Sequence, residues 1–176
     1  MVWQISDKRV KYYMENIIKY DERAAGGIVY KTIDEEVVWL VIKVLRKKDK
    51  GPIKARRGET KRFVYKLPKG HLREGEFLKQ AALREVAEEG KVSAEIVIKI
   101  GSNNYIYKDR LEGGKIIKRV TFFLMKFMGL DTNEYSDAEK IIAREWLSIE
   151  RAVKKLSYES EKKLLQRASQ ILNKME

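Results

Sequence analysis

The stretch "KGHLREGEFLKQAALREVAEEGKV", residues 69–92, carries five glutamates, and its reading decides the rest of the chain. Residues 76–90 have helical spacing. At about 100° per residue, Glu85, Glu88 and Glu89 fall within roughly one third of the helix circumference. Leu78, Ala81 and Ala82 lie on that same arc. A solvated helix would place its acids opposite the apolar stripe instead. Like charges at these spacings cost about 0.2–0.5 kcal/mol per pair, and acids near a helix C-terminus oppose the macrodipole. A bound divalent cation would offset all of these penalties. Carboxylates without histidine or cysteine select hard ions, Mg²⁺ or Mn²⁺, and the anionic partner such a set needs is a phosphate.

Around this helix the pattern alternates. Residues 7–20 place Val10, Tyr13, Met14, Ile17 and Ile18 at helical spacing. "AAGGIVY" (24–30) and "VVWLVIKVL" (37–45) read as a strand pair, and "FVYKL" (63–67) as a short strand. "EIVIKI" (95–100), "NYIYK" (104–108) and "IIKRVTFFLMKFM" (116–128) follow, with "EGG" (112–114) as hairpin chemistry between the last two. An acidic loop at 133–142 leads to "AREWLSI". One helix over residues 149–175 carries Val153, Leu156, Leu164, Leu165, Ala168, Ile171 and Leu172 as its stripe, with Trp146 in the core at its start. The expected fold is one α/β domain with a mixed sheet between helices.

The 176 residues suit a single core, and 44% are hydrophobic while 36% are charged. No apolar run approaches the roughly 20 residues of a membrane span, and "MVWQISDKRVKYYMENIIKY" lacks a secretory apolar core. The absence of cysteine excludes disulfides, thiolate chemistry and cysteine-bound zinc. These features lead us to expect a cytoplasmic protein. The net charge is +12, and residues 39–73 alone hold 13 Lys/Arg against two acids. That basic stretch suits a strongly anionic ligand.

"GHLREGEFLKQAALREVAEEGKV" resembles the nudix box, Gly–x5–Glu–x7–Arg–Glu–U–x–Glu–Glu–x–Gly–U, where U is a bulky aliphatic residue. Gly70, Glu76, Arg84, Glu85, Val86, Glu88, Glu89 and Val92 match in register. The second glycine of the box falls at Lys91, with a glycine at 90 instead, which suggests a helix cap moved by one residue. "RAAGGIVY", "YKLPKGHLREGE" and "AREWLSIERAVKKLSYESEKKLLQRA" are similar to stretches of diadenosine tetraphosphate hydrolases and diphosphoinositol polyphosphate phosphohydrolases. The resemblance implies an α/β/α sandwich over residues 23–176, with residues 1–22 as an N-terminal helical extension.

It also implies hydrolysis of a diphosphate linked to a further group. Glu85, Glu88, Glu89 and the carbonyl of Gly70 would be metal ligands, Arg84 would orient a carboxylate, and Glu76 would support the loop–helix junction. Glu85 is the first choice of general base, and Glu134 or Glu139 are the alternatives. Lys66, Lys69 and His71 are candidate phosphate ligands. Tyr105 and Tyr107 could stack on a base, although alternating strand aromatics favour a core role. The leading substrate is a dinucleoside polyphosphate. An inositol pyrophosphate, an RNA 5′ end or a nucleoside triphosphate to be removed from the pool are alternatives. A nucleic-acid-binding module with a vestigial box is the competing class, and the intact glutamate set argues against it.

Overall fold

A computed structural model describes residues 22–45, 63–108, 115–135 and 140–175. The helix expected at 7–20, residues 46–62 of the basic stretch, the turn at 112–114 and Glu139 lie outside the described residues. The strands are β1 (Glu22–Ile33), β2 (Glu36–Leu45), β3 (Phe63–Lys66), β4 (Lys69–His71), β5 (Val92–Lys108), β6 (Lys115–Leu130) and β7 (Ile141–Leu147). The helices are α1 (Leu78–Gly90), α2 (Ile149–Lys155) and α3 (Glu159–Leu172).

One mixed seven-stranded sheet results, in the order β3-β2-β1-β6-β5, with β4 added to β1 and β7 to β2. Only β1 and β6 run parallel among the described pairs. The sheet opens near its middle. Strand β1 pairs with β2 over residues 30–33 but with β4 over 24–26, and β2 pairs with β3 over 42–45. Strands β3 and β4 therefore occupy the place where β1 and β2 part. Leu67 and Pro68 carry the chain across that opening, held by a hydrogen bond from Gly27 N–H to the Pro68 carbonyl (3.1 Å). This crossing, residues 66–70, is the strap on which the site is built.

Alternation along the strands sends neighbouring side chains to opposite faces. Ala25, Val29, Leu40, Phe123 and Met125 pack with Ala81, Ala82 and Val86 of α1. Their neighbours Ala24, Ile28, Trp39, Val41, Phe122 and Leu124 pack with Ala152, Leu156, Leu164, Leu165, Ala168 and Leu172 of α2 and α3. The result is the expected α/β/α sandwich with a mixed sheet.

Four local readings change. The segments at 95–100 and 104–108 form one strand, β5, because register shifts near Ser93, Ile96 and Lys99 let it bend while staying paired to β6. Residues 149–175 form two helices, not one. The break is docked on β3, where Ser157 Oγ accepts Tyr65 N–H and Ser157 N–H donates to the Tyr65 carbonyl, both at 2.9 Å. Trp146 lies in β7, not at a helix start; it is half-buried, edge-on to Phe127 at 5.4 Å and beneath the Lys31 ammonium at 4.2 Å. The cap of α1 has not moved. Lys91 itself takes the left-handed conformation (φ 55°, ψ 39°) and donates its N–H to Ala87. Gly90 is instead the last helical residue, where a Cβ would come within 2.9 Å of Leu40.

Candidate active site

Helix α1 starts at Leu78, two residues later than its periodicity suggests, and Gln80 Oε1 accepts the Phe77 N–H in front of it (3.0 Å). Glu76 therefore does not serve the helix dipole. Its carboxylate accepts Arg73 N–H (2.8 Å) and both Nε (2.7 Å) and Nη2 (2.8 Å) of Arg84. The Arg84 hydrogen bonds dominate in lowering the Glu76 pKa to about 2. Arg84 also donates to the His71 carbonyl (2.9 Å), to Glu85 (2.6 Å) and to Glu88 (3.2 Å). One guanidinium thus binds the loop to the helix and aligns two carboxylates.

Glu85 faces inward, and the strap passes directly over it. A Cβ on Gly70 would lie 2.2 Å from the Glu85 carboxylate, so only glycine lets the backbone come this close. Burial pushes the Glu85 carboxyl above its ordinary range; the Arg84 hydrogen bond opposes this, while the charges of Glu89 and Glu88 add to it. Glu88 also receives Arg73 Nη2 (2.8 Å). Glu89 receives Lys66 Nζ (3.1 Å) through one oxygen and Lys69 N–H (2.8 Å) through the other. The strap meets the helix at Glu85 and Glu89, and Arg73 just beyond it meets Glu88.

The structure separates the remaining candidates. Lys66 is 4% exposed and turns its ammonium to Glu89. The Lys69 ammonium turns the other way, to Glu161 of α3 at 3.6 Å. His71 is exposed and its ring meets Glu22 (2.8 Å) and Lys118 (2.6 Å), away from the glutamates. Glu134 is exposed, in the segment that follows β6. Tyr105 packs against the core on the α3 side, with its hydroxyl 3.4 Å from Ser160 Oγ.

Two participants are not among the candidates read from the sequence. Arg144, on β7, donates to the backbone carbonyl of Glu89 (2.7 Å), satisfying one of the carbonyls that a helix end leaves open. Glu161 is fully buried and accepts the Leu67 N–H of the strap (2.8 Å). Its spacing on α3 matches the apolar stripe, which could have flagged it.

Glu85, Glu88 and Glu89 offer only oxygen donors, the chemistry of a hard divalent cation. Among the described residues no three acidic or histidine side chains converge on one point. Each of the three is drawn instead to the positive groups of the chain: Arg84, Arg73 and Lys66. Such cations occupy the place of positive charge that the cluster demands, so the donor set fits a metal by composition.

Comparison with known proteins shows the family. The NUDIX domain family matches residues 23–168. A Mycobacterium tuberculosis protein named as the mutator protein MutT4 is 31% identical over 156 residues, which is 88% of this chain; the chain spans 57% of that protein's length. The fold resembles a NUDIX hydrolase of Nitrosomonas europaea (TM-score 0.59, 20% identity, 85% of this chain and 88% of that one). It also resembles a Caenorhabditis elegans Ap4A hydrolase (TM-score 0.54, 21% identity, 86% of this chain and 98% of that one). The family match runs from β1 through the glutamate helix to α3, and the chain belongs to the NUDIX domain family.

Proposed function

We propose that this protein is a divalent-metal-dependent hydrolase of phosphoanhydride bonds, acting on a dinucleoside polyphosphate such as diadenosine tetraphosphate. The observation that carries the reaction class is that Glu85, Glu88 and Glu89 share one arc of α1, with Glu85 buried beneath Gly70 and its carboxyl raised further by the charges of the other two. The substrate class rests on the resemblance to diadenosine tetraphosphate hydrolases and on the +12 net charge.

In this reading Glu85, Glu88, Glu89 and the carbonyl of Gly70 hold Mg²⁺ or Mn²⁺. An ion held there would polarise phosphate oxygens and offset the charge that develops on them. The remaining steps belong to the chain. Arg84 and Glu76 fix the direction of the Glu85 and Glu88 carboxylates. Lys66, beside Glu89, supplies the point charge for a phosphate, whereas Lys69 contributes its backbone N–H and His71 supports the β1 end of the strap. Glu85 takes the proton of the attacking water, with Glu134 and Glu139 as alternative bases. The water oxygen forms a new bond to phosphorus, the bridging P–O bond breaks, and its electron pair leaves on the departing phosphate.

A substrate panel assayed with Mg²⁺ and with Mn²⁺, with products identified by mass, tests the reading. Diadenosine tetraphosphate should be cleaved, and a chelator should abolish the reaction. Faster turnover of an inositol pyrophosphate or of RNA 5′ ends would overturn the substrate class. No cleavage of any phosphoanhydride with either metal would overturn the reaction.

A further inference from the structure

Lys91 stands where the box has glycine, in a left-handed conformation that a side chain opposes and glycine adopts freely. What the side chain reaches is confined to one short segment. Lys91 Nζ donates to the Asn133 carbonyl (2.9 Å) and lies 4.4 Å from the centre of the Tyr135 ring, within cation–π range. The Lys91 carbonyl accepts the Asp131 N–H (3.0 Å). Asp131 closes the unit: one carboxylate oxygen accepts Asn133 N–H and the other accepts the Tyr135 hydroxyl, each at 2.9 Å. The segment is thereby fastened to the helix end two residues beyond Glu89.

We infer that Lys91 is a positioning residue, latching residues 131–135 across the C-terminal end of α1, two residues beyond Glu89, so that the chain leaving β6 is held against the helix end. Glycine would relax the backbone and lose both side-chain contacts, so the strained lysine is explained by the segment it secures. This inference rests on the hydrolase reading for its effect on turnover, and the latch itself is measured without turnover.

Lys91→Gly, Lys91→Arg and the parent are compared by amide exchange, by thermal unfolding, and by kcat and KM on diadenosine tetraphosphate with Mg²⁺. In Lys91→Gly the amides of Asp131 and Asn133 should exchange about tenfold faster or more, while those inside α1 keep parental rates. The melting temperature should hold or rise because strain is relieved. The kcat should nonetheless fall about tenfold with little change in KM, the size expected for an outer-shell partner. Lys91→Arg keeps the cation over Tyr135 and should retain parental kcat and exchange. Parental exchange at Asp131 and Asn133 in Lys91→Gly would overturn the latch, and parental kcat alongside faster exchange would overturn its positioning role. If the parent cleaves no phosphoanhydride, the hydrolase reading and the positioning role fall together, while exchange still decides whether the latch exists.

Discussion

Two buried glutamates touch the strap from opposite layers of the sandwich. Glu85, on α1, lies under Gly70; Glu161, on α3, accepts the Leu67 N–H three residues earlier. Burial raises the pKa of both. Their surroundings differ. Glu85 has two further carboxylates on its own helix and is aligned by Arg84. Glu161 stands apart from other acids in its hydrogen bonding and is opposed by the Lys69 ammonium at 3.6 Å, and its Oε1 makes no hydrogen bond. A lone buried carboxylate with a backbone donor and a cation is an anchor. Three carboxylates on one arc exceed what anchoring needs, and that surplus of negative charge is why we propose the α1 layer as the reactive one and the α3 layer as its support.

The sharpest way to break the comparison is to remove one charge from the α1 side. Glu89→Gln keeps the shape, and kcat should fall by about 10²–10⁴-fold, the several kcal/mol that metal-ion catalysis supplies. Relief of repulsion alone would leave the apo fold unharmed. The structure indicates otherwise, because Glu89 accepts from both Lys66 and Lys69 and an amide offers only one acceptor. Denaturation should therefore show a loss of about 1–2 kcal/mol. Parental kcat in Glu89→Gln would remove Glu89 from the metal set. Gly70→Ala tests the same layer sterically: with 2.2 Å between the added Cβ and the Glu85 carboxylate, strap or helix must shift, at about 1–3 kcal/mol.

The α1 layer was legible in the sequence because its chemistry is local. Glu85, Glu88 and Glu89 share one helix, so spacing alone puts them on one arc, and the sheet residues that bury the helix follow from alternation. Glu161, Arg144 and the docking of Ser157 on Tyr65 act across 94, 55 and 92 positions of the chain. No local period encodes such contacts. Helix continuity over 149–175 failed for that reason, since a bond to β3 outweighed the propensity of a polar stretch. The Lys91 cap was misread because glycine preference is a weak local rule, and contacts with residues 131–135 outweigh it here.

On the α3 side the two Glu161 variants should diverge. Glu161→Gln keeps an acceptor for Leu67 N–H and removes a charge that burial disfavours, so stability should stay near parental. Glu161→Leu strands that buried N–H and should cost about 1–3 kcal/mol, or roughly 2–4 °C in melting temperature for each kcal/mol. Equal stability of the two variants would mean that the acceptor is irrelevant and Glu161 is merely filling space. A loss of kcat in Glu161→Gln as large as that in Glu89→Gln would erase the division between reactive and supporting layers.

The smallest effect concerns Glu76, which belongs to the α1 layer yet holds no place in the metal set. Its pKa, lowered to about 2 mainly by Arg84, sets the sign. A carboxylate depressed in the folded state contributes stability above its unfolded pKa, near 4.5, and loses it as pH falls towards 2. Glu76→Gln should thus be less stable than the parent at neutral pH by about 1–2 kcal/mol, less than the full shift would give because water reaches the junction. The difference should shrink between pH 5 and pH 2, where the parent becomes protonated and the variant does not change. Urea denaturation at several pH values measures it. A constant gap across that range would show that the Glu76–Arg84 pair acts through packing instead of charge. A gap that closes, together with a modest fall in kcat, would show that Arg84 needs its outer partner to keep Glu85 and Glu88 aligned.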